Sequence, residues 1–279
     1  MRRFIHFSLW RSLQMMELLA IFLITGAAAG LLAGLFGVGG GLIMVPALAW
    51  ILPRQGFAES ITMQMAIGTS LAVIAITSLS STLAHHRRGG VLWPILARFA
   101  PGLVVGAIVG AFIADLLTGS VLKKIVGTGA LLVSAQMLLN LAPKIPREKI
   151  MPGAVELISV GGIIGLLSSL IGIGGGSLTV PYMSFRGISM REAVGTAAAC
   201  GVPIAWAGAA GFMLTGHNET ALPAWTIGYV SLSAFAGIAV ASTLTAPLGA
   251  KLAHTLHPLV LKRCFALLLT LIGLKMLLA

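Results

Sequence analysis

The chain has 279 residues, of which 58% are hydrophobic and 9% charged, whereas soluble domains carry roughly a quarter charged residues. That composition excludes a soluble globular protein, and long apolar runs without alternation exclude a transmembrane barrel. The net charge of +11 does not point to nucleic acid, because the basic residues gather in short connections such as "HHRRGG" (His85 to Gly90) and "PKIPREK" (Pro143 to Lys149), where lysine and arginine orient helices against a membrane.

In chain order, residues 1–17 form a basic N-terminal segment. With the apolar run that follows they imitate a secretory signal. The run leads directly into a motif that recurs later, so the expectation is that it is retained. Five apolar segments then follow at 18–36, 42–52, 62–84, 91–115 and 121–141, making a first repeat over 18–141. "PKIPREK" lies in a linker at 142–153. A second set at 154–171, 177–185, 193–214, 224–250 and 259–278 makes a second repeat over 154–279.

The two sets are copies of one unit. A shift of 135 positions lays Gly37, Gly39, Gly40, Gly41, Val45 and Pro46 on Gly172, Gly174, Gly175, Gly176, Val180 and Pro181. "AIGTSLA" (Ala66 to Ala72) faces "AVGTAAA" (Ala193 to Ala199), and "VLKKIV" (Val121 to Val126) faces "VLKRCF" (Val260 to Phe265). Chance apolar composition does not keep glycine, proline and basic pairs in step.

The second segment of each copy, at ~1.5 Å per helical residue, covers only about half of a ~30 Å hydrocarbon core. The glycines before it explain why. Each costs a helix interior roughly 1 kcal/mol relative to alanine, so "GVGGG" and "GIGGG" predict helix breaks. Proline is well tolerated in the first turn of the helix that follows, which makes Pro46 and Pro181 the expected supports of the break. Main chain freed at membrane depth must line a cavity or be enclosed by protein. The helix end that follows carries partial positive charge and favours an anion. Paired broken helices in two related halves point to a transporter's substrate site. The competing role for glycine is close helix packing.

At these residues the sequence resembles the TauE/SafE-type sulfite exporter (TSUP) family, across essentially the whole chain. The resemblance rests on the doubled "GxGGG" with its trailing "VP" and the "GT" pair that begins a helix in each half. It implies an all-α, polytopic integral membrane bundle of two repeats, each with a glycine-broken re-entrant helix. It also implies secondary transport of small sulfur-containing anions such as sulfite, thiosulfate, sulfoacetate or related organosulfonates, with protons as a coupling ion, in a bacterial inner membrane. No cofactor, metal or nucleic acid is implied, and a homo-oligomer is compatible with it. Carried over residue by residue, the motif selects Gly37, Gly39, Gly40 and Gly41 with Gly172, Gly174, Gly175 and Gly176 as substrate-binding main chain. Ser177 and Thr179 offer hydroxyls where the first copy has Leu42 and Met44; they either bind substrate oxygens or cap the half-helix. Thr69, Ser70 and Thr196 rank second, since such hydroxyls often bond their own preceding carbonyls.

Several charged residues stand out. Arg98 lies inside an apolar segment, as a counter-charge for an anion or as a side chain that snorkels to the interface. Glu17 and Glu156 open the first segment of each copy, where a helix start welcomes negative charge. Asp115 and His254 occupy matching positions and are candidates for proton movement. A passive anion channel is the alternative reading. An intramembrane serine protease using Ser177 and His254 is disfavoured, because the serine position is leucine in the other copy. Lysine and arginine do not divide decisively between the two sides. Inverted repeats are favoured because short return segments imply hairpins and inversion explains alternating access.

Overall fold

The computed structural model describes residues 19–34, 40–139, 152–252 and 258–278. Helix α1 (Leu19–Gly34) is followed by α2 (Gly41–Ile51), α3 (Glu59–Arg87), α4 (Trp93–Leu116), α5 (Gly119–Leu139), α6 (Ala154–Ile171), α7 (Gly176–Phe185), α8 (Met190–Thr215), α9 (Leu232–Leu252) and α10 (Pro258–Leu278). Among the described residues, α3, α4, α5, α6, α8 and α9 are long and apolar enough to cross a membrane. The protein is a polytopic helical membrane protein.

Local signals set the helix ends. Pro94 occupies the first turn of α4, where a missing N–H costs nothing. A capping box opens α8: Ser189 Oγ accepts from Glu192 N, and Glu192 Oε2 accepts from Ser189 N, both at 3.3 Å. Glu59 stands in the first turn of α3 and Arg87 in its last, each charge matching the helix dipole.

One predicted segment is corrected. Residues 224–250 do not form a single helix. Thr226–Ile227 (β1) and Val230–Ser231 (β2) pair antiparallel, Thr226 opposite Ser231 and Ile227 opposite Val230, and α9 starts only at Leu232. Gly228 turns the chain at φ +51°, a conformation that glycine adopts without steric penalty.

The helices meet along stripes of small residues. A Cβ at Gly102, Gly106 or Gly110 of α4 would collide with the main chain of Ile158, Gly162 or Leu166 of α6 in turn, so the two helices run parallel with backbones in contact. Gly26 and Gly30 of α1 meet Ile238 and Ser242 of α9 in the same parallel sense. The pairs α3/α8 and α5/α10 run antiparallel. In the first, Gly68 packs on Phe212, Trp206 Nε1 donates to Ala75 O and Thr82 Oγ1 donates to Ala198 O. In the second, Gly127 and Gly273 lie in contact, and Ser134 Oγ donates to Ala266 O at 2.7 Å. Lipid supplies no hydrophobic drive between helices, so close backbone contact and interhelical hydrogen bonds hold such bundles. The outer surface is as apolar as the core: Val105 and Ile163 are each 61% exposed and Leu132 66%.

Candidate functional site

The chain breaks where the glycines cluster. Helix α6 ends at Ile171, and Gly172 follows in the left-handed region at φ +78°. Gly175 caps α7 at φ +74°, ψ −11°. Gly40 caps α2 at φ +69°, ψ −9°, nearly the same conformation at the matching position. A residue with a Cβ pays roughly 1–2 kcal/mol there. Gly37 and Gly39 lie outside the described residues. The prolines do not stand in the first turn. Pro46 and Pro181 each fall five residues after the helix start at Gly41 or Gly176, so each removes the hydrogen bond that would reach Leu42 O or Ser177 O four residues back.

The two breaks touch. A Cβ at Gly41 would run into the Gly172 carbonyl and lie 3.0 Å from Ile173 Cα. Ser70 reaches across from α3 and donates to Gly172 O at 2.9 Å, fixing the direction of that carbonyl. Ile43 N and Met44 N bond to Gly40 O, and Leu178 N and Thr179 N bond to Gly175 O at 3.0 and 2.9 Å. No acceptor among the described residues serves the N–H groups of Gly41, Leu42, Gly176 or Ser177. These are the free amides that give a helix N-terminus its affinity for anions.

The side chains sort into three groups. Thr69 and Thr196 do structural work across the two halves. Thr69 Oγ1 accepts from Ser231 N at 3.0 Å, just ahead of α9. Thr196 Oγ1 accepts from Leu92 N at 2.9 Å, just ahead of α4. The glycine before each threonine packs on the same connection, Gly68 beside Tyr229 O and Gly195 beside Gly90. Each "GT" pair thus anchors a helix of the other half.

Arg98 is exposed and is not brought to the glycines.

Ser177 and Thr179 are buried beside the second break, with hydroxyls that find no partner. Two residues make about 200° around a helix, so they face opposite sides of α7. Ser168 and Ser169, near the end of α6, are fully buried with unpaired hydroxyls too. An unpaired buried hydroxyl costs about 1–3 kcal/mol. Sequence reasoning passed over Ser168 and Ser169. The signal was present: the same shift of 135 lays them on Ala33 and Gly34.

Other titratable residues are engaged elsewhere. Glu156 stands in the first turn of α6 as expected, and also accepts from Tyr182 OH at 2.7 Å and pairs with Arg186. Asp115 accepts from Tyr229 OH at 2.8 Å. Burial, and then that carboxylate, push the Tyr229 phenol up, so it remains a donor at neutral pH. Glu17 and His254 lie outside the described residues. Among the described residues, no three His, Cys, Asp or Glu side chains converge as metal ligands. A cavity of about 400 Å³ opens between α5 and the second break, lined by Ile171, Ile173 and Leu178 on one side and Lys124, Thr128 and Gln136 on the other.

Comparison with known proteins places this architecture. Residues 22–276 match the family described as Sulfite exporter TauE/SafE. A probable membrane transporter protein of Haemophilus influenzae is 34% identical over 265 residues, covering 94% of this chain and 99% of the relative. Probable membrane transporter proteins of Methanocaldococcus jannaschii and Bacillus subtilis are each 28% identical, covering 94% of this chain and 96% and 100% of theirs. With the match spanning both glycine breaks and nearly every helix, the chain belongs to the TauE/SafE sulfite exporter family of membrane transporters.

Proposed function

We propose that the protein is a secondary transporter of small sulfur-containing anions, such as sulfite, thiosulfate or an organosulfonate, in a bacterial inner membrane. Substrate sits where the two glycine breaks meet, at the amides that open α7, beside the buried Ser177. The observation that carries this reading is the contact between the breaks: Gly41, the first residue of α2, lies against the Gly172 carbonyl, in the glycine run that leads into the positively polarised start of α7.

Residues 18–141 and 154–279 are read as inverted repeats, with α2 and α7 as re-entrant half-helices. Matching helices α3 and α8 run antiparallel, as do α5 and α10. A two-fold axis relating them therefore lies in the membrane plane. The reciprocal "GT" anchors obey the same exchange. Rocking of one half against the other then exposes the midplane site alternately. Ser60→Cys and Met190→Cys, at the starts of α3 and α8, test inversion in a background where exposed Cys264 is serine and Cys200 is buried. Impermeant maleimide should label them from opposite faces of oriented vesicles, and labelling from one face would reject it.

Purified protein in liposomes, offered labelled sulfite, thiosulfate, sulfoacetate and taurine, tests the function. Saturable uptake of at least one, accumulating against its gradient when a proton gradient is imposed, is the expected result. Flux that only dissipates gradients would make the protein a channel, and no flux of any of the four would overturn the reading.

A further inference from the structure

We infer that the anion site is single and one-sided: Ser168 and Ser177, with the amides of Gly176 and Ser177, hold one oxyanion at the second break, while the first break holds none. This rests on the reading of the breaks as the substrate region and assigns it to one of the two.

Both hydroxyls are buried, Ser168 completely and Ser177 to within 7% exposure, and neither has a partner. Serine and threonine inside helices ordinarily return the hydroxyl proton to a carbonyl three or four residues back. Thr77 and Ser78 of α3 do so; Ser168 and Ser177 do not. Ser168 Oγ lies 3.3 Å from where a Cβ of Gly175 would stand, which sets it at the N-terminal end of α7. Ser177 is the second residue of that helix. Two unpartnered hydroxyls and the first two amides of α7, supplied by two different helices, thus lie at the positive end of one helix dipole. Donors spread over two helices suit an acceptor with several oxygens rather than a spherical halide. No lysine or arginine is included, so the anion is held by neutral dipoles and can leave again.

The first copy repeats the left-handed glycine that opens its half-helix and omits the hydroxyls. Gly40 has the φ and ψ of Gly175, yet Ala33 stands for Ser168 and Leu42 for Ser177. The terminal methyl of Met44 lies 3.1 Å from where a Cβ of Gly40 would stand, and neither of the other two near atoms is a hydroxyl. The first break shapes the site and does not fill it.

Equilibrium binding of labelled sulfite and thiosulfate to the purified full-length protein tests this, with chloride as competitor and the melting temperature followed in parallel. Wild type should bind one anion per chain, with chloride a poor competitor. Ser168→Ala and Ser177→Ala should each weaken binding about tenfold or more, the usual scale for a hydrogen bond to a charged group. Without ligand, each variant should melt at or above the wild-type temperature, because an unpaired buried hydroxyl has been removed. Ser168→Cys, close in volume but a weak donor, should lose affinity as Ser168→Ala does. Unchanged affinity in the Ser168 variants, or two anions per chain, would overturn the one-sided site and leave the transport reading standing. Wild type that binds neither anion would overturn both.

Discussion

Gly175→Leu should reduce anion uptake at least about 100-fold while the protein still inserts, purifies and runs as a single species. The loss combines two effects. Gly175 stands at φ +74°, which costs a side-chain-bearing residue roughly 1–2 kcal/mol and turns the first amides of α7 away from their present direction. A leucine side chain would also cover the Ser168 hydroxyl and the free N–H groups, and losing one preorganised donor to a charged group already costs several kcal/mol in comparable sites. The fold should survive because the nearest obstacle, 2.5 Å from the new Cβ, is Ile204 Cδ1, the far end of a flexible side chain. Gly40→Leu should also abolish uptake, by a different route. Its Cβ would meet the main-chain oxygen of Ala29 at 2.8 Å and displace the start of α2, which buttresses Gly172. Counterflow uptake in proteoliposomes, normalised to protein recovered by gel filtration, checks both. Wild-type uptake by Gly175→Leu would show that the amides of α7 do not face the substrate.

Gly106→Leu should damage the fold rather than the transport step. A Cβ there would collide with the Gly162 carbonyl oxygen and lie 2.8 Å from its carbon. Neither atom can move unless α4 and α6 separate. Overpacking of a tight core costs about 3 kcal/mol, roughly 6–12 °C of melting temperature for a chain of this size, with lower recovery from the membrane. Gly162→Ala on the same pair of helices is the contrast. Its nearest neighbour would be Gly102 O at 4.0 Å, ordinary contact distance, so its melting temperature should stay near wild type. Thermal unfolding in detergent checks the pair. Equal melting temperatures for both variants would contradict backbone contact between α4 and α6.

The contrast between these glycines explains how much could be read from the sequence. The helix break at "GIGGG", and the start of α2 at Gly41, were legible because clustered glycine opposes a helix regardless of what surrounds it. The helix order was legible because apolar length is fixed by the bilayer. Which way a helix faces was not, since Val105 and Phe112 toward the outside are as apolar as Leu103 and Ala107 toward the core, and lipid erases the periodicity that water imposes. Arg98 suffered from this directly: its run gave no face, and the fold turns it outward. Long-range partners were equally hidden. Nothing near Thr69 announces Ser231, 162 residues away, and nothing near Glu156 announces Tyr182 and Arg186. The hairpin at Thr226–Ser231 was missed because Gly228 alone, in an apolar stretch, reads as a packing glycine as readily as a turn. Ser168 and Ser169 were hidden because a serine inside a membrane helix ordinarily bonds its own preceding carbonyl, and only their unpaired hydroxyls set them apart.

Sulfur anomalous diffraction from crystals soaked in sulfite or thiosulfate asks directly whether main-chain amides at a helix break hold the transported anion. Beyond the fixed peaks of methionine and cysteine, one new peak should appear within about 4 Å of the Gly176 and Ser177 nitrogens, the reach of a hydrogen-bonded oxyanion. A new peak elsewhere in the membrane-spanning region, or none at saturating concentration of either anion, would contradict that placement.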